Sequence, residues 1–428
     1  MASCLGRKSK VDPKTKSKVD QILDAASAGN LRRIRKLVKE FADGKIIAET
    51  IAKIKDADGQ GVLHIAAVKG RTNICKYLLE ELKLNVDEKD SEDCSPLLHA
   101  SLEGHLSTVE YLIESGADPR ALNNHNTTAL HLATLEGHIE VMHLLLSKGA
   151  DVNAQSDIGT PLQVAAQLCK PNTLKLLLDH GADPNLVSLI PSPLDFSLSR
   201  SLECTKLLIQ AGADPNGGRS WGMRPLASAA KEGKSELIKC LLDAGADPNI
   251  TNDIGLKPIE IAARNGNDQE VGILFPVTSP IPACSDWSIT GIMKHVQSEE
   301  FIQQINLRVM EKHLKAKSKG EDALERQDYS QAAFYFTEAI AADPSDATVL
   351  SSRSHCFACL GNGGSAWSDA KACIMLKPDW PEAYYRAGIA LSLIQKYGMA
   401  TDIFLMGLKL DPENKSLKDA IKSVGIPS

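Results

Sequence analysis

The tripeptide Gly-Ala-Asp recurs with its glycine at Gly116, Gly149, Gly181, Gly212 and Gly245, at intervals of 33, 32, 31 and 33 residues. A period of that length makes the chain a stack of units, each too small to bury a core of its own, so that stability must come from neighbours. A second mark keeps step with the first: Leu63, Leu97, Leu130, Leu162, Leu194, Leu226 and Ile259 each stand near the start of an Ala-rich segment. Ser95-Pro96 and Thr160-Pro161 put a capping hydroxyl before a proline, which suits a helix start because the missing amide would be unpaired there anyway. Pairs such as Ala66-Ala67 and Ala165-Ala166 let neighbouring helices approach closely, and Gly70, Gly104, Gly137, Gly233 and Gly266 are placed to end that first helix. A Leu-rich second helix follows, stopped by the Gly-Ala-Asp turn. Aromatic residues make up only 4% of the chain, which agrees with short helices packed through Ala and Leu.

Two segments carry a closer likeness. Thr128-Ala129-Leu130-His131-Leu132-Ala133 and Val62-Leu63-His64-Ile65-Ala66-Ala67 resemble the Thr-Pro-Leu-His-x-Ala signature of ankyrin repeats. On that resemblance about seven units are expected over residues 58–286, behind a degenerate capping unit at 19–57 in which Ala25-Ala26-Ser27-Ala28-Gly29 repeats the helix-ending pattern. Residues 1–18, with six Lys or Arg and no apolar period, read as a disordered basic tail. His64, His99 and His131 fall one to a unit, which points to hydrogen bonds tying successive turns together rather than to catalysis. The fifth and sixth units carry Cys169 and Arg200 in place of the helix-ending glycine.

Pro276, Pro280 and Pro282 then break the pattern, and residues 287–312 form a linker and connecting helix through Phe301, Ile305 and Val309. Beyond it the period becomes 34, set by Pro344, Pro378 and Pro412 and kept by Ala332, Ala366 and Ala400. Gly320 and Gly388 are placed where two helices of one unit cross, against the large Phe336 and Phe404. These units resemble three tetratricopeptide repeats over 313–414, followed by a capping helix and tail at 415–428. The expected fold is mostly α: an ankyrin solenoid of helix-turn-helix units with short hairpin loops, followed by a three-unit tetratricopeptide α-solenoid. The order of the two arrays is similar to that of a family of ankyrin/tetratricopeptide proteins best known from plants.

The resemblance implies a non-enzymatic, protein-binding adaptor or scaffold with two arms. In the ankyrin half, binding through the inner-helix face marks Val68, Leu102, Leu135 and Leu198, and a hairpin tip marks Trp221. In the second half, three-unit arrays of the co-chaperone class hold the C-terminal carboxylate of Hsp70 or Hsp90 tails with Lys and Asn, then Asn, then Lys and Arg. The matching residues here are Lys317, Glu321, Ser352, Glu382 and Arg386. Two cations are kept, one amide has become a hydroxyl, and two positions have become carboxylates that oppose a bound carboxylate. A divergent chaperone adaptor and a purely structural assembly protein stand as the alternatives.

Other classes fit poorly. A net charge of −6 offers no field to neutralise phosphates, so no nucleic-acid partner is expected. No apolar stretch nears the roughly 18 residues that span a bilayer, and the ten cysteines are scattered singly, which suits a cytoplasmic protein, with a nuclear location left open by the basic tail. Cys356-Phe-Ala-Cys359 lacks the second pair a structural zinc needs, so neither metal nor cofactor is expected. Phosphate-binding loop, nucleophile elbow, kinase set and metal-helix motif are all missing from the sequence.

Overall fold

The computed structural model describes residues 18–42, 47–186, 190–217 and 224–424. Residues 1–17 of the expected basic tail and the last four residues lie outside these, and Lys18 opens the first helix rather than closing a tail. The chain divides into two compact units, one of Met1–Ile250 with Lys257–Thr278, the other of Thr251–Leu256 with Ser279–Ser428.

The first unit is a succession of helix pairs. Its inner helices are Lys18–Ser27, Val62–Val68, Pro96–Leu102, Ala129–Glu136, Pro161–Gln167, Pro193–Leu198, Pro225–Glu232 and Pro258–Arg264. Their apolar positions are sealed: Leu63, Leu97, Leu130, Leu162 and Ile259 have no exposed surface. Burying one leucine contributes about 1.5–3 kcal/mol, realised only when the next unit is in place. The helix starts are as the hydroxyl-proline pairs require. Thr160 accepts from the Gln163 amide at 3.2 Å with Pro161 in the first turn, and Ser192 accepts from Asp195 at 3.1 Å before Pro193.

In five units the third residue of the inner helix completes the start. His64 Nδ1, His131 Nδ1, Gln163 Oε1, Asp195 Oδ2 and Glu260 Oε2 accept from the amides of Gly61, Thr128, Thr160, Ser192 and Lys257 at 2.8–3.2 Å. His131 Nε2 then donates to the Gly159 carbonyl of the next hairpin at 2.9 Å, and Gln163 Nε2 does the same to Pro191. His64 Nε2 lies 3.0 and 3.1 Å from the Glu88 and Cys94 carbonyls. The expected ties between turns therefore hold for His64 and His131, but His99 departs from them. It stands one residue later in its helix, and its Nε2 meets Asp90 Oδ2 of its own unit at 2.7 Å.

Every Gly-Ala-Asp glycine has a positive φ, between 82° and 97°, and three of the turns are stitched to the next by an asparagine two residues past the Asp, while in the first Arg120 donates to the Gly149 carbonyl instead. Asn153 Oδ1 accepts from the Asp183 amide, Asn185 from Asp214 and Asn216 from Asp247, at 2.7–2.9 Å. In the fifth pair Cys169 adopts the left-handed conformation itself, at φ 53°, whereas in the sixth the helix ends at Leu198 and Arg200 is not left-handed.

The second unit begins with Ile289–His295 and a continuous 27-residue helix, Glu299–Glu325, capped by Ser298. Six helices follow: Tyr329–Ala342, Ala347–Cys359, Gly363–Leu376, Pro381–Leu393, Tyr397–Leu410 and Lys415–Val424. This is a helical solenoid with the 34-residue period of the sequence. A Cβ at Gly320 would stand 2.6 Å from the Phe336 ring, and one at Gly388 would run into Phe404. In the middle repeat the partners are Ser354 and Ala370, and the Ser354 hydroxyl donates to the Ala366 carbonyl at 2.9 Å. Arg353 forks onto Asp369 through two bonds of 2.7 and 2.8 Å and donates to Thr337, which ties three helices together. Cys356 is buried in this packing, whereas Cys359 is exposed, beside His355.

Candidate binding surfaces

In the first unit the inner-helix row marked in the sequence follows the helix ends. Val68, Leu102 and Leu135 are half-buried and Leu198 is buried, so their side chains are largely wedged into the stack. Trp221 lies outside the described residues. Leu106, Leu122, Leu168 and Leu202 are the more exposed leucines of this unit, at 37–45%.

The main chain of that row has a role that the sequence reading missed. Each helix pair sends one side chain back to the carbonyl at the end of the preceding inner helix. Arg71 Nε donates to Ser27, His105 Nε2 to Val68, His138 Nε2 to Leu102 and Lys170 Nζ to Leu135, at 2.6–3.0 Å. Arg200 does so to Gln167, Lys234 to Leu198 and Ser199, and Asn267 to Ala230, so all seven junctions are served. A helix end leaves such carbonyls unpaired, and these bonds satisfy them from outside. The signal was available: the residue after each helix-ending glycine, as in Gly70-Arg71, Gly104-His105 and Gly137-His138, is a long polar donor. The glycine also makes room, since a Cβ at Gly104 would lie 2.5 Å from the His138 ring.

In the second unit Lys317, Glu321, Ser352, Glu382 and Arg386 lie on the first helices of three successive pairs. Both cations face carboxylates of the chain itself. Lys317 Nζ donates to Asp346 Oδ2 at 2.9 Å and to the Thr348 hydroxyl at 2.7 Å. Asp346 is at the same time the cap of Ala347–Cys359, with Oδ1 accepting from the Thr348 and Val349 amides, while His313 Nε2 lies 3.1 Å from its Oδ2. Partial desolvation would raise the Asp346 carboxyl, but the Thr348 and Lys317 bonds prevail and hold it well below the usual carboxylate range. Arg386 Nε sits 2.9 Å from Glu382 Oε1, a charge contact whose N–H is not directed at the oxygen. Glu321 is exposed, and Ser352 is half-buried. The matched positions thus hold two cancelled cations and one surplus negative charge.

His131 is sealed in the ankyrin stack, and burial, only partly offset by the Gly159 carbonyl, brings its imidazole down to about 4. It is neutral at physiological pH and serves as a two-ended connector. Among the described residues no helix is long and apolar enough to cross a membrane.

Comparison with known proteins agrees with the periodicity. A family model described as ankyrin repeats in three copies matches residues 22–123 and 115–188, and one described as ankyrin repeats in many copies matches 208–262. The ankyrin repeat domain of human ASB11 aligns over 52% of this chain and all of its own, with 27% identity and a TM-score of 0.45. A separate likeness covers a quarter of the chain. The Hsp70-Hsp90 organising protein of Plasmodium falciparum is 40% identical over 108 residues, and the Hsp70-Hsp90 organizing protein of Triticum aestivum is 35% identical over 106. These stretches span 43% and 18% of those relatives' own length. With the hairpins, paired helices and family matches in register, residues 22–188 and 208–262 of this chain are ankyrin repeats.

Proposed function

We propose that the chain is a non-catalytic adaptor in which the ankyrin array binds one protein and the second array, read as three tetratricopeptide repeats, binds a peptide or a second protein. The observation that carries the reading is how the polar groups of the stack are used. His64, His131 and Gln163, the positions that would tempt a catalytic assignment, have both ends engaged in capping and inter-unit bonds. What such a stack leaves for function is surface. Two binding arms on one chain raise the effective concentration of one partner at the other without any new contact.

The relatives' names favour a second reading, a chaperone adaptor, which the charges at the five matched positions oppose. A carboxylate entering beside Glu321 and Glu382 meets like charge, and it must displace Asp346 from Lys317 to gain a partner. Calorimetric titration of the full chain with a peptide ending in an Hsp70- or Hsp90-type acidic tail separates the two. On the adaptor reading the natural chain binds at least tenfold more weakly than Glu321→Asn/Glu382→Lys. Micromolar binding by the natural chain makes it a chaperone adaptor instead.

A further inference from the structure

The hairpin entering the helix Pro96–Leu102 departs from its neighbours at three positions at once. The capping position held elsewhere by His64, His131, Gln163, Asp195 and Glu260 is Leu98. A histidine appears one residue later, at His99, where Ile65, Leu132, Val164, Phe196 and Ile261 stand in other units. Before the helix start, in the place of Gln60 and Thr127, stands Cys94. Two of these changes, Cys94 and His99, converge on Asp90. One donor atom from each of Asp90, Cys94 and His99 lies within 4.8 Å of the others. Asp90 and His99 are 4% and 14% exposed at their side chains.

The surroundings hold the three donors in place. The Glu92 and Cys94 amides fix Asp90 Oδ1 at 3.0 and 2.8 Å, which leaves Oδ2 to face His99. Asn123 Nδ2 lies 3.5 Å from Cys94 Sγ, and the His64 ring packs edge-on against His99 with centroids 5.8 Å apart. The Asp90–His99 hydrogen bond joins two of the groups, and the thiol stands beside them with Asn123 donating to it. Carboxylate, thiolate and imidazole together are a donor set that suits zinc, whose neighbouring ligand atoms in a tetrahedral site lie about 3.3 Å apart. The 2.7 Å Asp90–His99 separation needs to open by about 0.6 Å to reach that spacing.

The geometry points to a mononuclear site for a zinc-type divalent cation, with Asp90 Oδ2, Cys94 Sγ and His99 Nε2 as ligands and water in the fourth position. On binding, the metal–sulfur bond replaces the Cys94 S–H, whose proton leaves to solvent, and the metal–nitrogen bond replaces the N–H that His99 Nε2 directs at Asp90, the ring keeping its proton on Nδ1 instead. The amides on Asp90 and the Asn123 contact then act as the outer partners that orient such ligands. The site staples the turn to the helix that follows it, in a unit where Leu98 stands at the capping position, as Ala227 does in the unit of Pro225–Glu232.

The test is titration of the full, chelator-treated chain with Co2+, followed by its thiolate-to-cobalt charge-transfer absorption, and with Zn2+ by calorimetry. One equivalent is expected to bind, with the absorption lost in Cys94→Ser and affinity reduced tenfold or more in His99→Leu, the residue type of position 132. Circular dichroism checks that both variants stay folded, and His99→Leu alone suffices should Cys94→Ser not fold. Absence of the thiolate band in the natural chain overturns the proposal. So does a band that survives Cys94→Ser, for instance one arising from the Cys359–His355 pair.

Discussion

Phe336 lies across Gly320 so closely that a methyl group there would stand 2.6 Å from the ring, and the same large-on-small pairing recurs 68 residues later at Gly388 and Phe404. Between them the same crossing is filled by two small residues, Ser354 and Ala370.

Gly320→Ala is therefore expected to destabilise the second unit by about 1–3 kcal/mol, although alanine is the better helix former. Gly320→Ser in a Phe336→Ala background, which copies the Ser354/Ala370 crossing, should cost less than in the natural background. Chemical denaturation followed by fluorescence measures both, since Trp367 and Trp380 lie in this unit. Equal costs in the two backgrounds would show that the ring is not the obstacle.

Stability of the ankyrin array should fall as pH drops through the window from about 6.5 to about 4. His131 has its folded value depressed, so above the unfolded value both states are neutral and the connector's full contribution is present. Below it the unfolded chain takes up a proton that the buried ring refuses. The full shift corresponds to about 3 kcal/mol at most. His131→Gln, which copies Gln163 of the next unit, should flatten the slope in this window and change stability little at pH 8. An unchanged slope in urea titrations across pH would assign the effect to other groups.

Removing one end of the buried Arg353–Asp369 pair leaves an uncompensated charge, so Asp369→Ala should destabilise by roughly 3–5 kcal/mol. Arg353→Met/Asp369→Leu should recover much of that loss. Thermal unfolding of the four proteins gives the coupling, and a double variant as unstable as the worse single one would contradict the account.

Asp346→Asn keeps the helix cap while removing the charge that occupies Lys317. Its expected effect is a severalfold gain in affinity for an acidic-tail peptide, with a loss of stability of about 1 kcal/mol. Fluorescence anisotropy with a labelled peptide reads the first quantity. A variant no tighter than the natural chain would mean that Lys317 is not at the binding surface.

Alkylation should single out Cys359, the exposed thiol among those described. Burial pushes Cys75 and Cys373 up to about 12 and Cys356 to about 11, which keeps them protonated and unreactive. Mass spectrometry after brief iodoacetamide treatment of the native chain distinguishes them, and labelling of Cys373 at a comparable rate would count against the packing described.

The repeat units were legible because stacking imposes period on sequence: a leucine, an alanine pair and a glycine must return every 33 residues or the neighbour does not fit. Gly320 and Phe336 were legible for the same reason, a large ring at one crossing leaving room only for a glycine opposite it. The back-reaching donors were harder to see because arginine, histidine, lysine and asparagine all perform the same task, so no single letter repeats. His99 was misread since a shift of one position along a helix turns a side chain by about 100° and changes its partner. The pairing of Lys317 with Asp346 could not be read at all, for the two are joined only by a helix start folding back onto a neighbour 29 residues away.

The bonds at the seven ankyrin junctions all run the same way, each unit closing the helix end of the one before it. The array consequently has a direction. During synthesis, when the N-terminal units emerge first, every unit remains one bond short until the polar residue that opens its successor's second helix has left the ribosome. Completion travels along the chain one step behind translation, and a truncation within the array leaves its last intact unit permanently in that unfinished state.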